Sequence, residues 1–481
     1  MKRFLIIPVL FIVAMGFSQE TMQDSASVYK KRVLETAEVD FLTSYYTQDG
    51  NNASVTGGIG TEKLSDFTPT IVLSIPLNAD DVLTVDAGIS TYTSASSSNL
   101  NPFDLSGASR GEGDDDNNGN GNVLGDVIGS PWVASSGASR QDTWGSLNIN
   151  YSHSSDDRNT VWNADLSFAT EYDYFSIGFG GGLLKQFNEK NTTLGVNTKV
   201  YLDQWMPKYP TELDSYLEVN GNLNQGFFEG VTILDQSGNA STSWHPILGF
   251  SLIDNKSRNS YSLSVSFSQI LNKNSQFSLF FDLVQQKGWL SNPMQRVYFA
   301  DINNYYIGNA ASINNYASSS NRDVFQLADD IERMPSTRFK IPIGLRWHYY
   351  LNEIVSVRTY YRYYFDDWGV NSHTASVELP VKVSSKFTLY PSYRYYNQTA
   401  ANYFAPFEEH LSTSLYYTSD YDLSKFNATQ YGFGVGYTDI FTKSHIWKLG
   451  LKSIDLKYNS YKRNTGLKAD IVSMGIKFVM D

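Results

Sequence analysis

The chain has no cysteine in 481 residues. That excludes a disulfide framework, thiolate metal sites and cysteine nucleophiles. Basic charge is also short: 37 Lys and Arg stand against 49 Asp and Glu, a formal net charge of −12. Nucleic-acid binding needs a clustered basic surface, so no nucleic-acid partner is expected. Long apolar runs are missing after the first turns of the chain, and a helical span needs about 20 such residues. The histidines number 6, scattered at positions 153, 245, 348, 373, 410 and 445, and form no H-E-x-x-H pair. His153 beside Ser152 and Ser154 leaves a hydrolase constellation open without supporting it, and enzymatic activity is not expected.

The N-terminus reads as an export signal. Lys2 and Arg3 precede the apolar stretch Phe4 to Phe17, and Gly16 and Ser18 are small residues placed for cleavage before Gln19. Residues 1–18 are therefore expected to be a signal peptide. Residues 19–36 are expected to be a periplasmic segment, with Ser25 to Ala37 either a short helix or a tether. Residues 37–481 remain for the folded body.

Aromatic residues are abundant, with 33 Tyr, 28 Phe and 9 Trp. They sit in a strict alternation. From Asn259 to Gln269, Ser260, Ser262, Ser264, Ser266 and Ser268 interleave with Tyr261, Leu263, Val265 and Phe267. Successive side chains of a strand point to opposite faces, so this period of two is a strand signature. The same pattern runs from Val39 to Met480 and gives about sixteen strands. In the stretch Trp447 to Tyr458 the apolar parity shifts, which places a bulge near Lys452. Tight turns such as Asn78–Asp81, Asn188–Asn191 and Asn272–Ser275 alternate with long connections such as 94–140, 204–257, 285–336 and 398–427. Short periplasmic turns facing long extracellular loops produce that asymmetry in a transmembrane antiparallel up-and-down β-barrel. An all-β sandwich or solenoid has no reason to sort its loops by parity. The expected location is the outer membrane of a diderm bacterium, with outer-membrane lipid as the partner of the apolar face.

The inward-facing sets predict an uneven lumen. Asp40, Asp86, Asp165, Asp203 and Asp282 come from the first nine strands, and Lys340, Arg346, Arg358, Arg362, Lys382 and Arg394 from the strands after them, interleaved with tyrosines. Facing arcs of opposite charge would bias solute passage; alternatively, the charges pair and fill a closed barrel. Asp114, Asp116 and Asn118 match the opening of a calcium loop, but the twelfth position is Gly125 where a bidentate Glu is required. An acidic loop tip explains them equally. Calcium is the only cofactor with a candidate site. Asp366, Asp367, Trp368 and His373 form a presumptive extracellular tip for ion or partner contact, unless turn chemistry and an interfacial Trp account for them. Val324, Leu327, Ala328 and Ile331 have helical spacing, and such a segment would cap or narrow the barrel.

Several separated stretches resemble one family. Arg32-Val-Leu-Glu-Thr with Tyr45-Tyr-Thr-Gln-Asp-Gly50, Tyr92-Thr-Ser-Ala-Ser-Ser-Ser-Asn99, and Tyr361-Arg-Tyr-Tyr-Phe-Asp-Asp-Trp-Gly369 with Ser372-His-Thr374 are similar to the domain-of-unknown-function 3570 family. The resemblance implies an outer-membrane β-barrel of no assigned activity and supplies no catalytic residues. The leading expectation for function is a channel or transport barrel for small hydrophilic or charged solutes. The alternative is a non-conducting barrel that scaffolds a protein partner on its extracellular loops, and the third is an outer-membrane enzyme.

Overall fold

A computed structural model describes residues 32–92, 127, 129–134, 142–206, 208–247 and 256–480. The expected signal peptide, all but the last residues of the 19–36 segment, and the Asp114–Asn118 motif lie outside the described residues. Residues 32–37 form bends and no helix.

Sixteen strands make one closed sheet. They are β1 (Glu38–Asp49), β2 (Leu64–Pro76), β3 (Asp81–Tyr92), β4 (Asp142–Ser154), β5 (Thr160–Thr170), β6 (Tyr174–Phe187), β7 (Thr192–Trp205) and β8 (Lys256–Asn272). Then follow β9 (Ser275–Gly288), β10 (Thr337–Tyr350), β11 (Ser356–Asp366), β12 (Asn371–Glu378, continued by Val381–Lys382) and β13 (Phe387–Leu389, continued by Ser392–Gln398). The last three are β14 (Phe426–Thr438), β15 (Leu449–Arg463) and β16 (Lys468–Met480). Every strand pairs antiparallel with the next, and β16 returns to β1 with Phe41 opposite Ile476. Closure leaves no unpaired edge, which lipid could not satisfy.

The serine strand shows why the alternation exists. Ser264 stands between Asn197 and Asp282, and Ser266 between Gly195 and Phe280. These are the inward neighbours. Tyr261, Leu263 and Val265 lie on the other face with Leu279 and Phe281, exposed to the surroundings. Large exposed side chains continue around the barrel through Phe41, Ile71, Leu166, Phe179, Val196, Ile343, Leu456 and Met474. In water this belt would forgo about 25 cal/mol for every Å² of apolar area left wet, so it belongs in lipid. At the predicted parity shift, the β15–β16 ladder slips between Leu451 and Ser453, leaving Lys452 as the extra residue.

The tight turns rest on Asn and Asp. Asn78 Oδ1 accepts from the Asp80 and Asp81 amides, and Asn188, Glu189 and Lys190 all adopt positive φ. On the opposite rim, the stretches 50–63, 208–247, 289–336 and 399–425 fold together into a cap. Its core holds Leu213, Phe228, Ile233, Trp244, Ile307, Phe325 and Leu327, all nearly inaccessible. The segment with helical spacing is not a helix. Val324–Leu327 and Asp330–Ile331 are short strands, the first paired with Tyr305–Gly308 and the second with Arg296–Val297. All six residues are buried, so no polar face exists for a helix to expose. A short apolar run buried on both sides carries no periodicity that separates strand from helix.

Candidate functional site in the barrel lumen

The register of β10 to β15 aligns inward side chains in rungs across the wall. One rung runs Arg346, Tyr360, Ser376, Arg394, Gln430, Tyr461. The rung toward the cap runs Gly344, Arg362, Thr374, Tyr396, Ala428, Arg463, and the rung toward the tight turns begins His348, Arg358, Glu378. Neighbouring strands lie about 4.8 Å apart, so Arg346 and Arg394, three strands apart, sit about 14 Å from one another along the wall.

Aromatic rings hold the arginines. Phe280 stacks on Tyr360 at 5.8 Å, and the Arg346 guanidinium lies 5.2 Å from the Phe280 ring and 5.8 Å from Tyr360. Gly344 permits this, because a Cβ there would come within 2.0 Å of the Phe280 ring. Arg362 lies over Tyr364 at 6.0 Å, and its buried Nε has no hydrogen-bond acceptor. Arg358 pairs with Glu378 at 2.9 Å, and Lys457 reaches the same carboxylate at 3.4 Å. Among the described residues, Arg346, Arg394 and Lys382 make no ion pair, and all three are exposed to the lumen. Lys340 is half-buried on β10, opposite Asp366.

The acidic positions have a different fate. Asp165 is buried and paired with Lys199 at 3.2 Å, and Asp40 with Lys477 at 3.3 Å. Asp203 accepts from the Ser176 hydroxyl at 2.7 Å. Asp86 stands opposite Asn148, and Asp282 opposite Ser264. More of the acidic charge than of the basic charge is therefore internally compensated. Glu38 adds a cluster that parity counting passed over, binding Lys452 at 2.6 Å and Lys477 at 3.0 Å. Lys457 and Lys477 were accessible to the same count. Arg463 with Asp422 at 2.5 Å was not, because Asp422 sits in an aperiodic loop.

Asp366, Asp367, Trp368 and His373 do not converge. Asp366 accepts from Arg338, Tyr364 and the Trp368 and Val370 amides, and Asp367 from the Phe339 amide. Trp368 is 5 % exposed and packs under the cap against Leu290 and Met334, with Arg338 over its ring at 4.3 Å. His373 points outward from β12, bonded to the Tyr361 hydroxyl at 2.7 Å. The cap meets the lumen where Asp422 reaches Arg463. Beneath that contact a cavity of about 220 Å³ is lined by Arg394, Tyr396, Gln430, Tyr461 and Arg463.

The family profile described as "Protein of unknown function (DUF3570)" matches residues 6–472. The chain belongs to that family. No curated protein matches it. Among solved structures it is similar to a "Bacterial polysaccharide outer membrane secretin", at 9% identity and TM-score 0.41, covering 93% of this chain and 99% of that one. A Pseudomonas aeruginosa FadL homologue aligns at 10% identity and TM-score 0.39, over 92% and 90% of the two chains. The outer membrane protein opdK of the same organism aligns at 9% identity and TM-score 0.35, over 93% and 99%.

Proposed function

We propose that this DUF3570 barrel is an outer-membrane channel or transport protein for small hydrophilic or charged solutes, and that its wall favours anions. The observation that carries this reading is the rung holding Arg346 and Arg394, two wetted guanidinium groups with no acidic partner among the described residues. A fixed positive charge on a wall of low dielectric raises the local concentration of anions and repels cations. The orphan Nε of Arg362, on the neighbouring rung, supports the same preference.

A second reading has its own observation. The cap has a hydrophobic core of its own and touches the lumen wall through Asp422, so a closed barrel presenting the cap to a protein partner is the competing function. Planar-bilayer recording of the purified, heat-modifiable protein separates the two. Discrete conductance with an anion-directed reversal potential is expected, and Arg346→Gln with Arg394→Gln should shift that potential toward zero selectivity. A silent bilayer from folded protein would reject the channel and favour the scaffold.

A further inference from the structure

The cap contains a second polar cluster that the lumen chemistry does not use. Tyr306 and Gln326 face each other across the short ladder formed by Tyr305–Gly308 and Val324–Leu327. Asn304 precedes that ladder, and Glu408 arrives from the 399–425 loop with a positive φ of 57°. One carboxylate oxygen of Glu408 accepts from Asn304 Nδ2 at 2.5 Å and from Gln326 Nε2 at 3.1 Å. Both amides are deeply buried, Asn304 at 7 % and Gln326 at 0 % exposure. Their oxygens, Asn304 Oδ1 and Gln326 Oε1, have no hydrogen-bond partner. A buried acceptor left without a donor costs about 1–3 kcal/mol, and here two sit beside one carboxylate.

Amide geometry places both orphan oxygens near Glu408. The oxygen and nitrogen of a carboxamide are about 2.2 Å apart, so each orphan lies within about 5 Å of the same Glu408 oxygen. Turning either amide over exchanges the two atoms, and brings its oxygen to the place its nitrogen now holds. With both turned, three oxygens would surround one point, an arrangement that repels itself unless a cation fills it. Asp329 stands close enough for Glu408 to act on its titration. It is 1 % exposed, and burial raises its carboxyl to about 7, with Glu408, Asp330 and Asp301 adding to the rise.

We propose that Glu408, Asn304 and Gln326 form a binding site for a hard divalent cation, calcium by preference, that ties the 289–336 loop to the 399–425 loop. Calcium takes carboxylate and amide oxygens at about 2.3–2.6 Å in flexible geometry, which suits one carboxylate flanked by two rotatable amides. The Tyr306 hydroxyl is adjacent, and its phenol would sensitise a bound lanthanide. The proposal uses none of the residues of the Asp114–Asn118 motif and is independent of whether the barrel conducts.

The test uses the full folded chain in detergent. Calcium is titrated calorimetrically, and terbium by tyrosine-sensitised luminescence with calcium as competitor. One saturable site is expected that survives Asp114→Asn with Asp116→Asn and weakens by about tenfold or more in Glu408→Gln. Gln326→Glu adds a carboxylate ligand and should tighten binding. Without a cation site the same change only buries a second charge beside Glu408. Should Glu408→Gln lose its heat-modifiable fold, Gln326→Glu decides alone. Absence of saturable binding, binding abolished by the Asp114 and Asp116 changes, or affinity unmoved by Glu408→Gln or Gln326→Glu would each overturn the proposal.

Discussion

Glu332 accepts hydrogen bonds from the Thr418 hydroxyl at 2.5 Å and from the Asn292 amide at 2.6 Å, yet it lies so deep in the cap that burial pushes its carboxyl up to about 8. Asp420 adds to the rise, while the two hydrogen bonds and Arg258 oppose it. The folded state therefore holds the proton more tightly than the unfolded chain, whose glutamate titrates near 4.5. Stability from this group is fully present below that value and is lost as pH rises through about 8. Protease nicking of the cap should accelerate between pH 6 and pH 9, measured against Glu332→Gln at each pH. The amide mimics the neutral acid, donating to Thr418 and accepting from Asn292, so the variant should show a flatter profile. An equal pH dependence in both proteins would contradict this account.

At the scale of the element, β15 carries one residue more than its partner can pair. Lys452 occupies the bulge and sends its ammonium to Glu38 at 2.6 Å, where Lys477 also binds. Leu449 and Leu451 before the bulge, and Ile454, Leu456 and Tyr458 after it, all face outward because the bulge resets the parity. Deleting Lys452 should leave both apolar sets facing lipid, and the protein should keep its heat-modifiable mobility on gels. Deleting Asn459, in the regular ladder, inverts one end of the strand and should abolish folding. The bulge was legible in the sequence because a parity change needs only the order of residues. The strand at Val324–Leu327 was not, since a run buried on every side has no contrast between faces.

At the scale of the molecule, cap and barrel are held by different physics. The barrel presents apolar side chains outward and charge inward, while the cap encloses an apolar core as a water-soluble domain does. Arg296 and Glu212, both 0 % exposed, lock the cap through contacts at 2.7 and 3.0 Å, and Arg296 also donates to the Val55 carbonyl at 3.2 Å. Three loops meet in that one ion pair. Glu212→Leu strands a buried guanidinium and should cost the cap about 3–5 kcal/mol, whereas adding Arg296→Met should restore most of it. The midpoint temperature for protease cleavage of the cap reads this effect, with barrel mobility on gels unchanged. A double variant as weak as the single would remove the ion pair from the account.

The order of residues determined the strands, their inward and outward faces, the short and long sides and the basic wall, because each follows from a period of two within one segment. Arg346, Arg358, Arg362 and Arg394 could be assigned to one face that way. Their partners could not. That Glu378 compensates Arg358, while Arg346 and Arg394 have no acidic partner among the described residues, depends on which strands meet and in what register. Aperiodic loops carry no local signal of their contacts, so only the tertiary structure decided that Trp368 lies beneath a cap and that Glu408 meets Asn304 and Gln326. Pairing across 82 to 104 residues is set by closure and packing, which no local pattern encodes.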